Sequence, residues 1–254
     1  MAATNKEQTI ALEASGLVKL YKGCGRPALD GFSIVIREGD IFGLLGPNGA
    51  GKTTAISIMS SLLRASRGTV MIFGADTRRQ ADKVKEMIGL VPQEIALYRQ
   101  LTARENLRYF GKLYGIKGRA LGSRIDECLD FVGLLPKADQ LVETYSGGMK
   151  RRVNLAVGIL HQPKLLFLDE PTVGIDAQSR DMILARLAAL NQAGTTMVYT
   201  THYMEEAERL CSEVAIMDSG RVLSQGKPGE LMKDGGHDTL QDMFFSLTGR
   251  KLRD

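Results

Sequence analysis

"GPNGAGKTT" at residues 46–54 follows the apolar run "DIFGLL" at 40–45 and leads into "KTTAISIMSSLL" at 52–63, where apolar positions recur at helical spacing. The local order is strand, glycine loop, helix. A glycine-rich surface turn accounts for the glycines alone. The flanking strand and helix are the context in which Gly46, Gly51, Lys52 and Thr53, fitting G-x-x-x-x-G-K-[ST], form a phosphate cradle instead. In that reading the backbone N–H groups from Gly49 to Thr54 turn inward toward phosphate oxygens, and the start of the helix adds its positive dipole end. Lys52 would reach the β- and γ-phosphates and the Thr53 hydroxyl would ligate Mg²⁺. Pro47, Asn48, Ala50 and Thr54 complete the loop.

The rest of the chain supplies an α/β frame for such a loop. Its 254 residues are 44% hydrophobic and 24% charged, ordinary for a globular chain with a sizeable core. "KLLFLDE" (164–170), "TTMVYTTH" (195–202) and "EVAIMDSG" (213–220) are continuous apolar runs bounded by polar turns, with the amphipathic stretch 176–192 between the first two. Runs of this kind suit parallel strands buried on both faces, with helices as crossovers. "TIALEASGLVKLY" (9–21) and "FSIVIREGDIFGLLG" (32–46) read as strands of an antiparallel lead-in, the second ending at the glycine loop. "GTVMIFG" (68–74) and "MIGLVPQ" (87–93) are further short strands, followed by helical patterns at 102–114, 121–132 and 146–161. The expected architecture is an α/β core of about 9–93 and 161–227 with a helical subdomain at about 94–160 and a short tail at about 228–254.

A phosphate cradle needs acidic partners. Asp169 and Glu170 end the buried strand "LLFLDE", at the carboxyl edge where open parallel sheets bind ligands. Asp169 is the expected Mg²⁺ partner, through water, and Glu170 is free to polarise an attacking water as general base. An isolated acidic pair merely ending a strand is common, but the glycine loop elsewhere in the chain makes that the lesser reading. "YSGGMKRR" at 145–152 adds a second helix start with bare N–H groups, capped by Ser146 and opened by Gly147 and Gly148. Two anion-binding helix starts for one nucleotide point to a head-to-tail dimer, in which "SGG" of one copy closes on the γ-phosphate held by the other.

With these motifs in this order, residues 9–250 resemble the ATP-binding subunits of ABC transporters. The resemblance implies a P-loop NTPase fold with a parallel sheet, an antiparallel β lead-in and an inserted helical subdomain. It implies ATP and Mg²⁺ as ligands, with Tyr21 stacking on adenine and Gln93 touching Mg²⁺ and the attacking water. "YSGGM" is similar to the signature usually written LSGGQ, departing at Tyr145 and Met149. "PTVGIDAQS" resembles the D-loop region, implying that Asp176 organises the dimer interface, and His202 matches the switch histidine at the γ-phosphate. "VPQEIALYRQLTARENL" and the ending "TLQDMFFSLTGRKLRD" resemble single-domain exporter subunits of the daunorubicin-resistance type. The implied partners are a second copy and a separate permease, whose coupling helix would meet a groove partly lined by Leu97, Tyr98 and Leu101.

Other classes fit less well. A soluble ATPase of the same type acting on nucleic acid or ribosomes would carry two nucleotide domains or a long coiled-coil insert. A non-catalytic regulatory module would lack Lys52, Glu170 or His202, all present. The formal charge is +4, and Lys150-Arg151-Arg152 reads as a solvated helix face, so no nucleic-acid partner is expected. No apolar stretch approaches the roughly 18 residues needed to span a bilayer, and the N-terminal residues lack a secretory layout. The expected location is cytoplasmic, peripheral on the inner face of the cell membrane through the permease. Cys24, Cys128 and Cys211 are widely spaced and read as reduced thiols. His161 is read at a helix end, where a partial positive charge suits the dipole.

Overall fold

The computed structural model describes residues 9–249. The readings placed on the first eight residues and on the end of the tail, 250–254, lie outside the described residues. In chain order the elements are β1 (Ile10–Lys19), β2 (Leu29–Arg37), β3 (Ile41–Leu45), α1 (Lys52–Met59), β4 (Arg67–Ile72), β5 (Ala75–Asp76), α2 (Ala81–Met87) and β6 (Ile88–Val91). There follow α3 (Ala103–Leu113), α4 (Gly118–Phe131), α5 (Gly147–Gly158), β7 (Leu165–Asp169), α6 (Ala177–Gln192) and β8 (Thr196–Thr201). The chain continues through α7 (Met204–Leu210), β9 (Glu213–Asp218), β10 (Arg221–Gly226), α8 (Pro228–Gly235) and α9 (Leu240–Thr248).

A six-stranded sheet runs in the order β10-β9-β3-β8-β7-β6, and a four-stranded antiparallel sheet in the order β2-β1-β4-β5. In the larger sheet β9, β3, β8, β7 and β6 are parallel, and β10 is an antiparallel edge. The parallel strands are largely apolar because each faces two cores. Phe42, Leu44, Phe167, Val198 and Met217 point to one side, where they pack with Phe32, Ile34 and Ile36 of β2 and with Ile56 and Met59 of α1. Ile41, Leu45, Leu166, Leu168, Met197 and Ile216 point to the other, against the helical layer built on Leu107, Ile125, Leu129, Leu155 and Phe244. Burying each such side chain is worth about 1.5–3 kcal/mol. The polar caps are local: Thr102 and Glu105 form a reciprocal capping box at α3, and Asp176 accepts from Ser179 N–H to cap α6.

The run "FSIVIREGDIFGLLG" is corrected by the fold. It is two strands, not one, parted by a turn in which Gly39 takes φ +87°, and they enter different sheets. β2 pairs antiparallel with β1, whereas β3 is central in the parallel sheet. The apolar texture on both sides of Glu38-Gly39-Asp40 hides the change of layer. Between β6 and β7 the chain is helical, and Cys128 and Cys211 are buried free thiols while Cys24 is exposed. No described helix is long and apolar enough to cross a membrane.

Candidate active site

Four neighbouring strands, β3, β8, β7 and β6, end on one edge, and each delivers a polar group there. β3 leads into the glycine loop. Two of its glycines are demanded by close approach: a Cβ on Gly46 would lie 2.5 Å from Met217 O, and one on Gly51, at φ +106°, 2.5 Å from Ala28 O. Gly51 is also the cap residue of α1, which has no side-chain cap and no acidic residue in its first turn. The N–H groups at that helix start are therefore left for an anion.

Lys52 is 5% exposed and its Nζ donates to Gly46 O (2.8 Å) and Pro47 O (3.3 Å). It also lies 3.5 Å from Glu170 Oε1. Burial lowers the Lys52 pKa from its ordinary value, and the Glu170 carboxylate opposes that shift. Glu170 is itself 6% exposed and takes a left-handed φ of +46°, a strained conformation for a side chain with a Cβ. Its Oε2 accepts from Gln93 Nε2 at 3.1 Å and lies 3.5 Å from His202 Nδ1, a buried atom with no hydrogen-bond partner. One carboxylate thus meets Lys52, Gln93 and His202, from α1 and from just beyond β6 and β8.

Asp169 lies beside this group. Its Oδ1 accepts from Thr200 Oγ1 at 2.7 Å, and the same hydroxyl accepts from Glu170 N at 2.9 Å. Burial raises the Asp169 pKa, countered by hydrogen bonds from the Thr200 and Thr53 side chains. Tyr21 is brought to the loop from the end of β1: its hydroxyl shares a 3.3 Å hydrogen bond with Thr54 Oγ1 and its ring is partly exposed.

The "SGG" stretch and Asp176 stand apart from this cluster. Ser146 Oγ accepts from Met149 N at 3.2 Å, capping α5. Gly148 packs against α6, where a Cβ would come within 2.2 Å of Ser179 Oγ. Among the described residues no hydrogen bond or ion pair joins Ser146, Gly147, Gly148 or Asp176 to the glycine loop. Leu97 is half-buried against the helical core, and Tyr98 is exposed, its ring 4.9 Å from that of Tyr109.

Two readings are corrected. Lys150, Arg151 and Arg152 are not a solvated face: all are half-buried and donate to backbone carbonyls. Arg151 holds Gln93 O and Val173 O, and one turn later Asn154 donates to Pro92 O and accepts from Ala96 N. α5 is thereby fastened to the segment carrying Gln93. His161 lies beyond the end of α5, stacked on Tyr114 at 3.8 Å with Nε2 2.7 Å from Ile88 O, and burial lowers its pKa, favouring the neutral ring. Thr200 and Asn154 are not singled out by the sequence reading, and Arg151 enters it only as one of a basic cluster. The signal available was polar residues inside otherwise buried periodic stretches.

The family described as ABC transporter matches residues 29–173. The linearmycin resistance ATP-binding protein LnrL of Bacillus subtilis (strain 168) is 45% identical over 235 residues, covering 92% of this chain and 75% of that protein. The daunorubicin/doxorubicin resistance ATP-binding protein DrrA of Streptomyces peucetius is 42% identical over 237 residues, covering 93% and 71%. A solved dimeric ATP-binding cassette in a post-hydrolysis state bound to ADP and Pi superposes with a TM-score of 0.77 at 27% identity, covering 85% of this chain and 98% of that one.

Proposed function

The chain belongs to the ABC transporter family as an ATP-binding, ATP-hydrolysing subunit, and from that premise we propose that two copies clamp ATP between them to drive a separate export permease. The observation that carries the reading is the Glu170 carboxylate, buried between Lys52, Gln93 and His202 on the edge where the glycine loop begins.

In this reading the phosphates of ATP lie along Gly46, Pro47, Asn48, Gly49, Ala50, Gly51, Lys52, Thr53 and Thr54, with Tyr21 against the base. Lys52 exchanges the carbonyls of Gly46 and Pro47 for β- and γ-phosphate oxygens. Glu170 orients and polarises the attacking water, and the His202 ring, held beside Glu170, donates to the γ-phosphate. Ser146, Gly147, Gly148 and Asp176, which stand apart within one copy, complete the site of the other. The water oxygen bonds to the γ-phosphorus as the bond from that phosphorus to the β–γ bridging oxygen breaks, ADP leaves with that oxygen, and Glu170 takes up the water proton.

The donor set fits Mg²⁺: a Thr53 hydroxyl bonded to a buried Asp169 carboxylate and the Gln93 side-chain oxygen are hard ligands. No group of three or more His, Cys, Asp or Glu side chains suited to a metal occurs among the described residues, in keeping with an ion that completes its shell with phosphate and water. Thr53, Gln93 and, through water, Asp169 would hold it, where it would neutralise charge on the β- and γ-phosphates.

The exporter assignment, for a drug, lipid or related amphiphile, draws on the resistance proteins to which the chain is similar. It places the subunit on the inner face of the cell membrane, attached through the permease. We read residues 9–93 and 161–227 as the nucleotide core, 94–160 as the helical subdomain and 228–254 as a tail. No nucleic-acid partner is proposed, since the basic cluster is occupied by backbone carbonyls.

The test is Glu170→Gln. Turnover should fall by about 10²–10⁴-fold, the range for loss of a general base. ATP should then convert the chain from monomer to dimer by light scattering. Turnover at the wild-type rate would remove Glu170 from this role.

A further inference from the structure

A second buried carboxylate lies behind the site. Glu206 of α7 is 4% exposed, and its Oε2 accepts from Thr172 Oγ1 (3.0 Å), Tyr199 OH (2.6 Å) and Thr201 Oγ1 (2.8 Å). Thr172 follows Glu170 by two residues, and Thr201 immediately precedes His202. The Thr201 hydroxyl also accepts from Tyr203 N at 3.0 Å, so it clamps the chain on both sides of His202. The other oxygen, Oε1, faces Arg180 Nε at 3.6 Å, and neither atom has a hydrogen-bond partner. Arg180 stands on the first turn of α6, the helix capped by Asp176. Its guanidinium lies 4.7 Å from the Tyr203 ring, and that ring is 4.2 Å from the ring of His202. A cavity of about 390 Å³ opens beside these groups, lined by Ala177, Arg180, His202, Tyr203 and Glu206.

We propose that Glu206 is a positioning residue for ATP hydrolysis: it fixes His202 against Glu170 and, through Arg180, couples that histidine to the helix that carries Asp176. The proposal rests on the hydrolytic roles given above to Glu170 and His202. Packing alone does not call for an anion here, because burying a carboxylate is costly unless donors surround it. Three hydroxyl donors on one oxygen hold the Thr172 and Thr201 backbones in a fixed relation, which sets where Glu170 and His202 emerge. Burial and the neighbouring Glu206 charge raise the Tyr199 pKa well above its ordinary value, so this phenol remains a donor. The Arg180 contact is the loose member. Its 3.6 Å separation and the adjoining cavity leave room for α6 to shift and close it when Asp176 engages a second copy.

The experiment is steady-state ATPase kinetics of the full chain, with binding of a fluorescent ATP analogue and thermal unfolding measured in parallel. Glu206→Gln keeps the shape and an acceptor for the hydroxyls but loses the attraction for Arg180. It should lower kcat by about tenfold, within the range for a misplaced catalytic group, and leave KM and analogue Kd within about twofold. Glu206→Ala should be slower still. A wild-type kcat in Glu206→Gln overturns the proposal, as does a kcat loss matched by an equal loss of nucleotide binding. Should neither variant fold, Arg180→Gln decides, since its side chain is 34% exposed and removable. A several-fold drop in kcat at constant KM supports the coupling, and wild-type turnover overturns it. An active Glu170→Gln would remove the underlying reading. An inactive Glu170→Gln beside a fully active Glu206→Gln would remove only the positioning role.

Discussion

Replacing Gly148 by alanine tests why the signature stretch needs the second of its two glycines. The added Cβ would lie 2.2 Å from Ser179 Oγ, 2.7 Å from Ser179 Cβ and 3.3 Å from Asp176 Oδ2. Ser179 has little freedom to yield, because its Oγ donates to Asp176 Oδ2 and its N–H to Asp176 Oδ1, both at 2.8 Å. Reaching ordinary contact at 3.4 Å or more therefore requires α5 and α6 to separate by roughly an ångström. Overpacking of this kind costs about 1–3 kcal/mol. In a chain of this size each kcal/mol moves Tm by about 2–4 °C, so a fall of about 2–12 °C is expected in a thermal melt. Ser179→Gly removes both clashing atoms while keeping the backbone cap. Alone it costs about 1 kcal/mol for glycine in a helix. Combined with Gly148→Ala it should recover at least about 1 kcal/mol relative to the sum of the single changes. A Gly148→Ala protein that melts with the wild type, or a double variant that is merely additive, would refute the packing argument and leave phosphate approach as the sole reason for the glycine.

Two further outcomes are expected. Burial lowers the His161 pKa in the folded chain, so the unfolded chain binds more protons below the ordinary value of 6.5. This contribution to stability is full above that pH and is lost as the pH falls below it. Tm should accordingly drop between pH 7.5 and 5.5 less steeply in His161→Gln than in the wild type, and equal slopes would count against a neutral buried ring. Tyr98→Ala, at an exposed position beside Tyr109, should weaken capture of the permease while leaving Tm nearly unchanged. Undiminished co-purification with the permease would show that this side chain is no part of the docking groove.

What could be read from sequence depended on whether a residue's partners are local. The parallel strands were legible because two-sided burial leaves uninterrupted apolar runs, as in "KLLFLDE". The glycine loop was legible because its geometry is made by consecutive residues. The division of 32–46 into β2 and β3 was not, since apolar runs lie on both sides of a short polar turn. β10 was missed because its residues alternate between exposed and half-buried with no apolar stripe. Arg151 looked like one of three surface cations, and only its carbonyl partners Gln93 and Val173, far away in the chain, set it apart. Glu206 sits in an acidic helix start where carboxylates are ordinary. Its meaning comes from hydroxyls on β8 and beyond β7 that the sequence places elsewhere.

The alternation of side chains along the parallel strands has a consequence for how the molecule comes apart. Phe42 and Leu44 belong to one core while Ile41 and Leu45 belong to the other, and β7, β8 and β9 divide in the same way. Neither core can melt while the other stays intact, because the strand that loses one set of contacts must surrender the next residue's as well. The antiparallel sheet and the helical layer contribute to different apolar clusters and are thermodynamically joined through the strands between them. Unfolding should therefore register as one cooperative transition for the whole of the described chain, and damage to the nucleotide loop's footing on either side should be felt as a loss of stability on both.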